Sequence, residues 1–236
     1  MEGDGIIKKQ EIKTNLNQNL VDISNFIDES EKIDVNSDKY KKIIFLYNAA
    51  IRQINTQIEI LKDELMEFYN YNPIEDISYR IKRTDSIIEK LNKKNYALTY
   101  YNLINNLNDV AGIRIICDFK DDVYRIVDFI ENFQNIRIIK KKDYIEKPKK
   151  SGYRAVHLIA EVPINFSKGL IFVKVEIQIK TIGMNFWAVL EHNLKYKNIE
   201  MATIDSKKLV KYANIINKID DKMVVLSRLK KLQDNF

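Results

Sequence analysis

The feature that most constrains the fold is a pair of neighbouring segments predicted as strands, Tyr153–Val162 and Leu170–Thr181; in the second, apolar and polar side chains alternate from Val173 to Lys180. Alternation with a period of two places successive side chains on opposite faces of a β-strand. The short connection between the segments, from Pro163 to the Ser167-Lys168-Gly169 turn, predicts a hairpin. We therefore expect a sheet with one apolar face against a core and one polar face.

The polar face of this hairpin carries side chains that can do chemistry. Glu176 and Gln178 lie on the polar face of the second strand, and Tyr153 and His157 share one face of the first strand. An ordinary surface strand shows the same alternation, and for one strand alone that interpretation is favoured. With all four residues on one sheet face, however, the hairpin forms a plausible floor for a polar cleft.

The rest of the chain alternates between helical and strand patterns. Helices are predicted from a cap at Ser37 to Asn72-Pro73, from a cap at Ser86, and over Leu98–Leu107, Asp121–Phe133, Ile182–Tyr196 and Asp205–Phe236. Further strands are predicted over Ile77–Lys82, Gly112–Phe119 and Ile136–Lys142. Helices dominate, and about five strands are enough for one mixed sheet, so the predicted fold class is α+β.

The composition is that of a globular protein with one strongly basic segment. Hydrophobic residues make up 45% and charged residues 31% of the chain, as in ordinary globular domains. We see no signal peptide or membrane-spanning segment, and a single cysteine, Cys117, permits no intrachain disulfide, so we expect a cytoplasmic protein. The net charge is +6, and the basic surplus is concentrated between Arg137 and Arg154. Such a segment favours phosphate groups on nucleotides or nucleic acid, although a solvated lysine-rich loop looks the same.

A second carboxylate, Asp109, precedes the isoleucine-rich strand that contains Arg114. Alone it would be an ordinary loop or capping residue. Paired with Glu176, it would supply the minimal set of oxygen ligands for Mg²⁺, which usually keeps waters and takes phosphate oxygens as well.

Basic residues precede this carboxylate in the chain. Arg80 and Lys82 are two positions apart, so we expect them on the same face of a strand. The helix predicted to begin at Ser86 offers free backbone amides, which suit a phosphate group and equally suit an ordinary helix cap.

Five motifs in this order resemble the synthetase domain of the RelA/SpoT family, and in particular its small, single-domain members. The motifs are Arg80-Ile81-Lys82 followed by Ser86 and Lys90, Asp109 to Arg114, Pro148 to His157, Val175 to Thr181, and Phe186 to His192. The resemblance covers about residues 37–200.

The resemblance implies a sheet similar to the nucleotidyltransferase palm and a (p)ppGpp synthetase, or GTP pyrophosphokinase, of the stringent response. In such an enzyme ATP donates its β,γ-pyrophosphate to the 3′-hydroxyl of GTP or GDP and AMP leaves. For ATP, the resemblance implies that Arg80 and Arg114 hold the adenine and that Lys82, Ser86 and Lys90 contact the phosphates. Asp109 and Glu176 would bind Mg²⁺, and Glu176 would also activate the acceptor hydroxyl. For the acceptor, Tyr153 would stack on guanine, and Lys149, His157 and Gln178 would line the site.

The domain organisation follows from where the motifs lie. We expect an N-terminal extension over residues 1–36, the synthetase domain over 37–200 and a C-terminal amphipathic helix over 201–236. An apolar stripe runs along one side of that helix and consists of Leu209, Tyr212, Ile216, Ile219, Met223, Leu226 and Leu229. Together with the resemblance, the stripe predicts a homotetramer, with packing inside the chain as the alternative. The resemblance also implies single-stranded RNA as a regulatory partner.

Two residues depart from the family pattern, which often has Asn in place of Ser151 and Arg in place of Lys180. Lysine cannot make a planar bidentate contact with phosphate.

Hydrolase activity is not expected, because hydrolase domains of long relatives use a His-Asp metal site and neither His157 nor His192 is followed by Asp.

Two alternative functions are an RNA-binding regulatory module and another nucleotidyltransferase of the palm class. Such nucleotidyltransferases usually carry two carboxylates two positions apart on one strand, which Glu176 and its neighbours lack. A pure RNA-binding module would use the basic segment and would have no need of Asp109 and Glu176.

Overall fold

A five-stranded mixed sheet organises the chain, as predicted. The structure is a computed structural model that describes residues 28–166, 169–196 and 206–233. Within these ranges the elements are α1 (Asp38–Tyr69), β1 (Ile74–Ile81), α2 (Thr84–Lys93), α3 (Tyr100–Asn106), β2 (Ala111–Cys117), α4 (Lys120–Glu131), β3 (Arg137–Asp143), β4 (Val156–Phe166), β5 (Gly169–Thr181), α5 (Ile182–Tyr196) and α6 (Ser206–Gln233). The strand order is β1-β2-β5-β4-β3, in which only β2 and β5 pair in parallel. The α+β class is confirmed.

The predicted hairpin is β4 and β5, which pair from Val156 opposite Ile179 to Phe166 opposite Gly169. Two details of the prediction are wrong. Tyr153 precedes β4, because the chain turns just before it, where Gly152 has a φ of 91°. Pro163 lies inside β4; its missing N–H is tolerated because β3 pairs with β4 only as far as Glu161. The predicted turn at residues 167 and 168 is outside the described residues.

The apolar face of the sheet packs on α1 and α4. Helix α1 begins where predicted, with the Ser37 side chain accepting a hydrogen bond from the Tyr40 amide at 3.1 Å. It ends earlier than predicted, at a left-handed Asn70 with a φ of 47°. The buried residues of the sheet are those of the alternating pattern, among them Val175, Ile177 and Ile179. The opposite face, which carries the polar residues, stays partly exposed.

The predicted start of α2 is wrong. The helix begins at Thr84 after an extended Arg83, so Ser86 lies in the first turn and is not the cap. No side chain caps this end, so the sequence offered no signal for the true boundary. The next helix, α3, is shorter than predicted and begins after Thr99, whose hydroxyl accepts a hydrogen bond from the Asn102 amide.

The last helix, α6, packs through a face different from the predicted stripe. Its buried residues are Ala213, Asp220 and Val224. Four stripe residues are about half exposed: Tyr212 (52%), Ile219 (49%), Met223 (47%) and Leu226 (57%). We call these four residues the α6 stripe. The rest of the predicted stripe is half-buried at Leu209 and Ile216, and the side chain of Leu229 is outside what the structure describes. No helix in the described ranges is long and apolar enough to cross a membrane.

Candidate active site

The two predicted carboxylates come together because β2 and β5 are parallel neighbours. Asp109 stands just before β2, and Glu176 lies on β5 opposite Gly112. On the other side of Gly112 lies Arg80 of β1. Since glycine has no side chain, the polar face is open between Arg80 and Glu176, which leaves space for a ligand.

Asp109 is held by two lysines. Its Oδ2 accepts hydrogen bonds from Lys82 Nζ at 2.9 Å and from Lys90 Nζ at 2.5 Å. Burial alone would raise the pKa of Asp109, but the hydrogen bonds and charges of Lys90 and Lys82 outweigh it and hold the pKa below its usual value. The carboxylate is therefore ionised at neutral pH. Its second oxygen, Oδ1, is buried without a hydrogen-bond partner.

Glu176 is held by two neighbours on its own sheet face. His157 Nδ1 lies 3.1 Å from Oε1, and Gln178 Nε2 donates to Oε2 at 2.8 Å. Burial and the charge of Asp109 raise the pKa of Glu176, whereas the contacts with His157 and Gln178 lower it, and the net pKa is lowered. Since Glu176 lies opposite Gly112 and Asp109 precedes β2 by two residues, both carboxylates lie near the start of β2.

A cluster of aromatic rings stands beside Glu176. The hydroxyl of Tyr153 lies 2.9 Å from Nε2 of His157, and the two rings meet edge to face at a centroid distance of 5.7 Å. Tyr144 packs edge-on against both of these rings. Lys149 Nζ lies 4.6 Å from the ring centres of both Tyr144 and Tyr153. Burial, and then the charge of Glu176, raise the pKa of Tyr153, so its hydroxyl keeps its proton.

Two residues of this cluster were not assigned a role from the sequence. Tyr144 is brought beside Tyr153 by the pairing of its amide with the Ala155 carbonyl, which no local pattern reveals. Lys180, a polar-face residue of β5, is only 2% exposed and holds its Nζ 5.4 Å from the Tyr153 ring centre. Burial, followed by the charge of Arg114, lowers the pKa of Lys180 to about 7, although Glu176 opposes the shift.

The remaining predicted residues lie at the edges of this site. Arg114 is opposite Gln178 in the β2–β5 pair, and its Nε is buried without a hydrogen-bond partner. Ser86 precedes Lys90 by one helical turn, so both lie on the same face of α2. Among the described residues, no hydrogen bond or ion pair joins Ser86 to the other predicted residues.

The donor set fits a magnesium ion that also binds substrate. No group of three or more His, Cys, Asp or Glu residues in the described part of the chain could hold a metal. Of the predicted site residues, Asp109 and Glu176 would hold the ion, and phosphate oxygens and water would complete the coordination, as is usual for Mg²⁺. The buried, partnerless Oδ1 of Asp109 is consistent with such a ligand.

Comparison with known proteins agrees with the motifs. Residues 79–201, which contain nearly all of the residues described above, match the family model for the region found in RelA/SpoT proteins. GTP pyrophosphokinase YwaC of Bacillus subtilis is 37% identical over 192 residues, or 81% of this chain and 91% of that protein. The chain belongs to the RelA/SpoT family.

Solved structures of RelA/SpoT proteins share the fold. Small alarmone synthetase 2 from Bacillus subtilis superposes with a TM-score of 0.72 at 36% identity, covering 81% of this chain and 99% of that one. Small alarmone synthetase 1 from the same organism, bound to its product pppGpp, gives a TM-score of 0.74 at 28% identity, covering 81% of this chain and 97% of that one. The palm-like sheet expected from the RelA/SpoT resemblance is therefore the fold of this chain.

Proposed function

We propose that this chain is a Mg²⁺-dependent (p)ppGpp synthetase, which transfers the β,γ-pyrophosphate of ATP to the 3′-hydroxyl of GTP or GDP and releases AMP. The observation that carries the proposal is that two carboxylates lie near the start of β2, with lysines around Asp109 and aromatic rings beside Glu176. The names of the RelA/SpoT relatives, a GTP pyrophosphokinase and a synthetase bound to pppGpp, support the same reaction. In the cell, the product would serve the stringent response.

The donor side of the site is the cationic group around Asp109. Lys82 and Lys90 form ion pairs with Asp109. The phosphates of ATP would give both amines a second anionic partner, on the helix face that also carries Ser86. Arg80 and Arg114 flank the gap at Gly112, where two planar guanidinium groups can hold an adenine.

The two carboxylates are the residues that would hold Mg²⁺. When bound, the ion neutralises charge on the transferred pyrophosphate, the main requirement of phosphoryl-type transfer. Asp109 is kept ionised by its lysines and Glu176 by His157 and Gln178, so both are ready to bind a cation. Glu176 is also the candidate to accept the proton of the acceptor hydroxyl.

The acceptor side is the aromatic cluster. The ring of Tyr153 would stack on guanine, since aromatic platforms bind the face of a base. Lys149, His157 and Gln178 line the space beside it. Lys149 Nζ lies 4.6 Å from the centre of the Tyr153 ring, within reach of the phosphates of a nucleotide whose base stacks there.

The decisive experiment follows three labels in ATP mixed with GTP or GDP. Label in the β- and γ-phosphates should appear in the guanine nucleotide, and label in the α-phosphate should appear in AMP. Transfer of the α-phosphate to an acceptor would instead identify a nucleotidyltransferase. No transfer of any label, together with salt-dependent binding of single-stranded RNA, would identify a binding module. GTP, GDP and GMP compared in one assay would identify the preferred acceptor.

We further propose that the α6 stripe binds a second copy of the chain within a homotetramer. Its four apolar side chains are exposed, and α5, which packs on α6, exposes Phe186 (58%) and Leu190 (44%) as well. An exposed apolar surface on two adjacent helices is typical of a subunit interface. Single-stranded RNA is proposed as a regulatory partner, since the loop lysines Lys147 and Lys150 are exposed.

A further inference from the structure

We propose that the hydroxyl of Tyr153 positions Glu176 through His157, so that binding of the acceptor base and the orientation of the catalytic carboxylate are coupled. The inference rests on the proposed function and concerns residues of that site. The sequence indicated a role only for the ring of Tyr153; its hydroxyl received none.

The hydrogen bonds form a continuous chain. Tyr153 Oη lies 2.9 Å from His157 Nε2, and His157 Nδ1 lies 3.1 Å from Glu176 Oε1. An ionised carboxylate only accepts hydrogen bonds, so Nδ1 must donate its proton to Glu176. A neutral imidazole then has a bare Nε2, which accepts from the Tyr153 hydroxyl. For a neutral imidazole, the two hydrogen bonds are therefore compatible with the Nδ1–H tautomer alone.

The far oxygen of Glu176 is held as well. Gln178 donates to Oε2 at 2.8 Å and lies directly across the β4–β5 pair from His157. A glutamate side chain has several rotatable bonds, so two opposed donors restrict it to one orientation. Small displacements of a catalytic group are costly, because the reaction requires the reacting atoms within a narrow range of distances and angles.

The imidazole ring itself is fixed from two sides. Tyr144 packs edge-on against His157 at a centroid distance of 5.2 Å, with the ring planes at 89°. The Tyr153 hydrogen bond supplies the remaining constraint on ring rotation. A guanine stacked on Tyr153 would stabilise that ring, and through two hydrogen bonds also the carboxylate. Tyr153 is thus a positioning residue for Glu176 in addition to being a stacking platform.

The test uses substitutions that cut one link at a time. Tyr153→Phe keeps the ring and loses the hydroxyl; we expect kcat to fall about three- to tenfold, the usual effect of one hydrogen bond, with KM for the guanine nucleotide changed less than about twofold. His157→Asn places an amide where Nδ1 stood and keeps the Glu176 link. His157→Gln places an amide near the position of Nε2 and keeps the Tyr153 link. We expect kcat to fall further in His157→Gln than in His157→Asn, because the glutamine variant loses the link to Glu176.

A double-mutant cycle separates coupling from independent effects. Tyr153→Phe should cost kcat when His157 is present and should cost no more than twofold when His157→Asn has already removed the link. A loss of equal size in both backgrounds, a loss confined to KM, or an unchanged kcat in Tyr153→Phe would overturn the proposal.

A spectroscopic measurement distinguishes failure of this inference from failure of the proposed function. The chain has only two histidines, so ¹⁵N spectra of the protein and of His192→Gln assign the ring nitrogens of His157 without any assay of activity. We expect the Nδ1–H tautomer in the ligand-free protein and a mixed population in Tyr153→Phe. An Nε2–H tautomer would refute the inference even if the protein makes the expected product. The expected tautomer without pyrophosphate transfer would refute the proposed function alone.

Discussion

A Cβ atom added at Gly152 would lie 2.7 Å from the Cβ of Ala213, so the loop before β4 touches α6 at a point that admits no side chain. Gly152 also has a φ of 91°, a conformation that other residues adopt only with strain. Next in the chain stands Tyr153, and Arg154 donates to Asn214 of α6 at 3.0 Å. The helix that carries the α6 stripe therefore also supports the loop of the proposed acceptor side.

Gly152→Ala is expected to destabilise the protein by about 1–3 kcal/mol, through strain and through the clash with Ala213. It should also raise KM for the guanine nucleotide more than KM for ATP, because the displaced loop carries Tyr153. Adding Ala213→Gly should recover the steric part of the loss and leave the strain, with Ala213→Gly alone as the control. Urea unfolding gives the stabilities. Equal stability of Gly152→Ala and the parent would contradict this account of the contact.

Glu176→Gln should lower the rate of pyrophosphate transfer at least about a hundredfold, because it removes a group that acts in the transition state. The amide has nearly the same shape, so the protein should still fold, which thermal unfolding checks. Glu161→Gln on β4 is a matched control, since Glu161 pairs with Arg137 away from the proposed reaction. Near-normal turnover of Glu176→Gln would show that the carboxylate is not catalytic.

Removal of divalent metal with EDTA should abolish transfer, and added Mg²⁺ should restore it. Asp109→Asn should require a higher Mg²⁺ concentration for half-maximal rate, because an amide is a weaker ligand than a carboxylate. Asp118→Asn, which alters a carboxylate beyond the other end of β2, is the control and should keep the parent's Mg²⁺ dependence. Full activity in EDTA would exclude a required metal.

Lys180 makes stability depend on pH. Its pKa is lowered to about 7 from an unfolded value of 10.5, so between these pH values the folded protein binds fewer protons than the unfolded chain. The free energy of unfolding of the parent, compared with Lys180→Met, should therefore rise as pH increases from 7 to 9, with a limiting slope of about 1.4 kcal/mol per pH unit. Below pH 7 Lys180 is charged in both the folded and the unfolded protein, so the buried charge lowers the free energy of unfolding by its full amount.

Lys180→Arg is the control for this pH dependence. Arginine remains charged throughout this pH range, so the free energy of unfolding of Lys180→Arg, relative to that of Lys180→Met, should not change with pH. Parallel pH profiles for the parent and Lys180→Met would mean that Lys180 keeps its charge in the folded protein.

The α6 stripe gives a prediction about assembly. Light scattering at micromolar concentration should give the mass of a tetramer for the parent chain. The double substitution Ile219→Glu with Met223→Glu should reduce this mass, because it places charges in an apolar contact. Lys222→Glu changes an exposed neighbour outside the stripe and should leave the mass unchanged. A monomeric parent would show that the stripe has another role.

The sheet and its polar face were predictable because their signal is local. The period of two along each strand assigns Glu176 and Gln178 to one face of β5 and His157 to one face of β4. That these two faces coincide follows from the pairing of His157 with Gln178. The boundary of α2 was not predictable, because no side chain caps the helix at Arg83. The sequence places Lys180 on the polar face correctly, yet no local pattern predicts that its side chain is only 2% exposed, with Nζ 5.4 Å from the Tyr153 ring centre.

The aromatic cluster illustrates what a single sequence cannot supply. Tyr144 reaches Tyr153 and His157 only through the register of β3 against β4, which shifts between Ile138 and Lys140. Such an irregularity depends on both strands together and leaves no pattern in either one. For the same reason, the motifs named the residues of the candidate site, whereas the hydrogen bonds among them came only from the structure.

The order of strands in the sheet has a consequence for synthesis of the protein. Of the five strands in the described part of the chain, β5 is the last to leave the ribosome, yet it lies between β2 and β4. Until it is present, β2 and β4 both expose unpaired edges, which are templates for pairing with other chains. A product that ends before residue 169 thus contains the basic segment and Asp109 but cannot bring Glu176 beside it. We expect such fragments to aggregate. Because Glu176 lies on β5, the proposed site forms only in a late step of folding, when β5 inserts between β2 and β4.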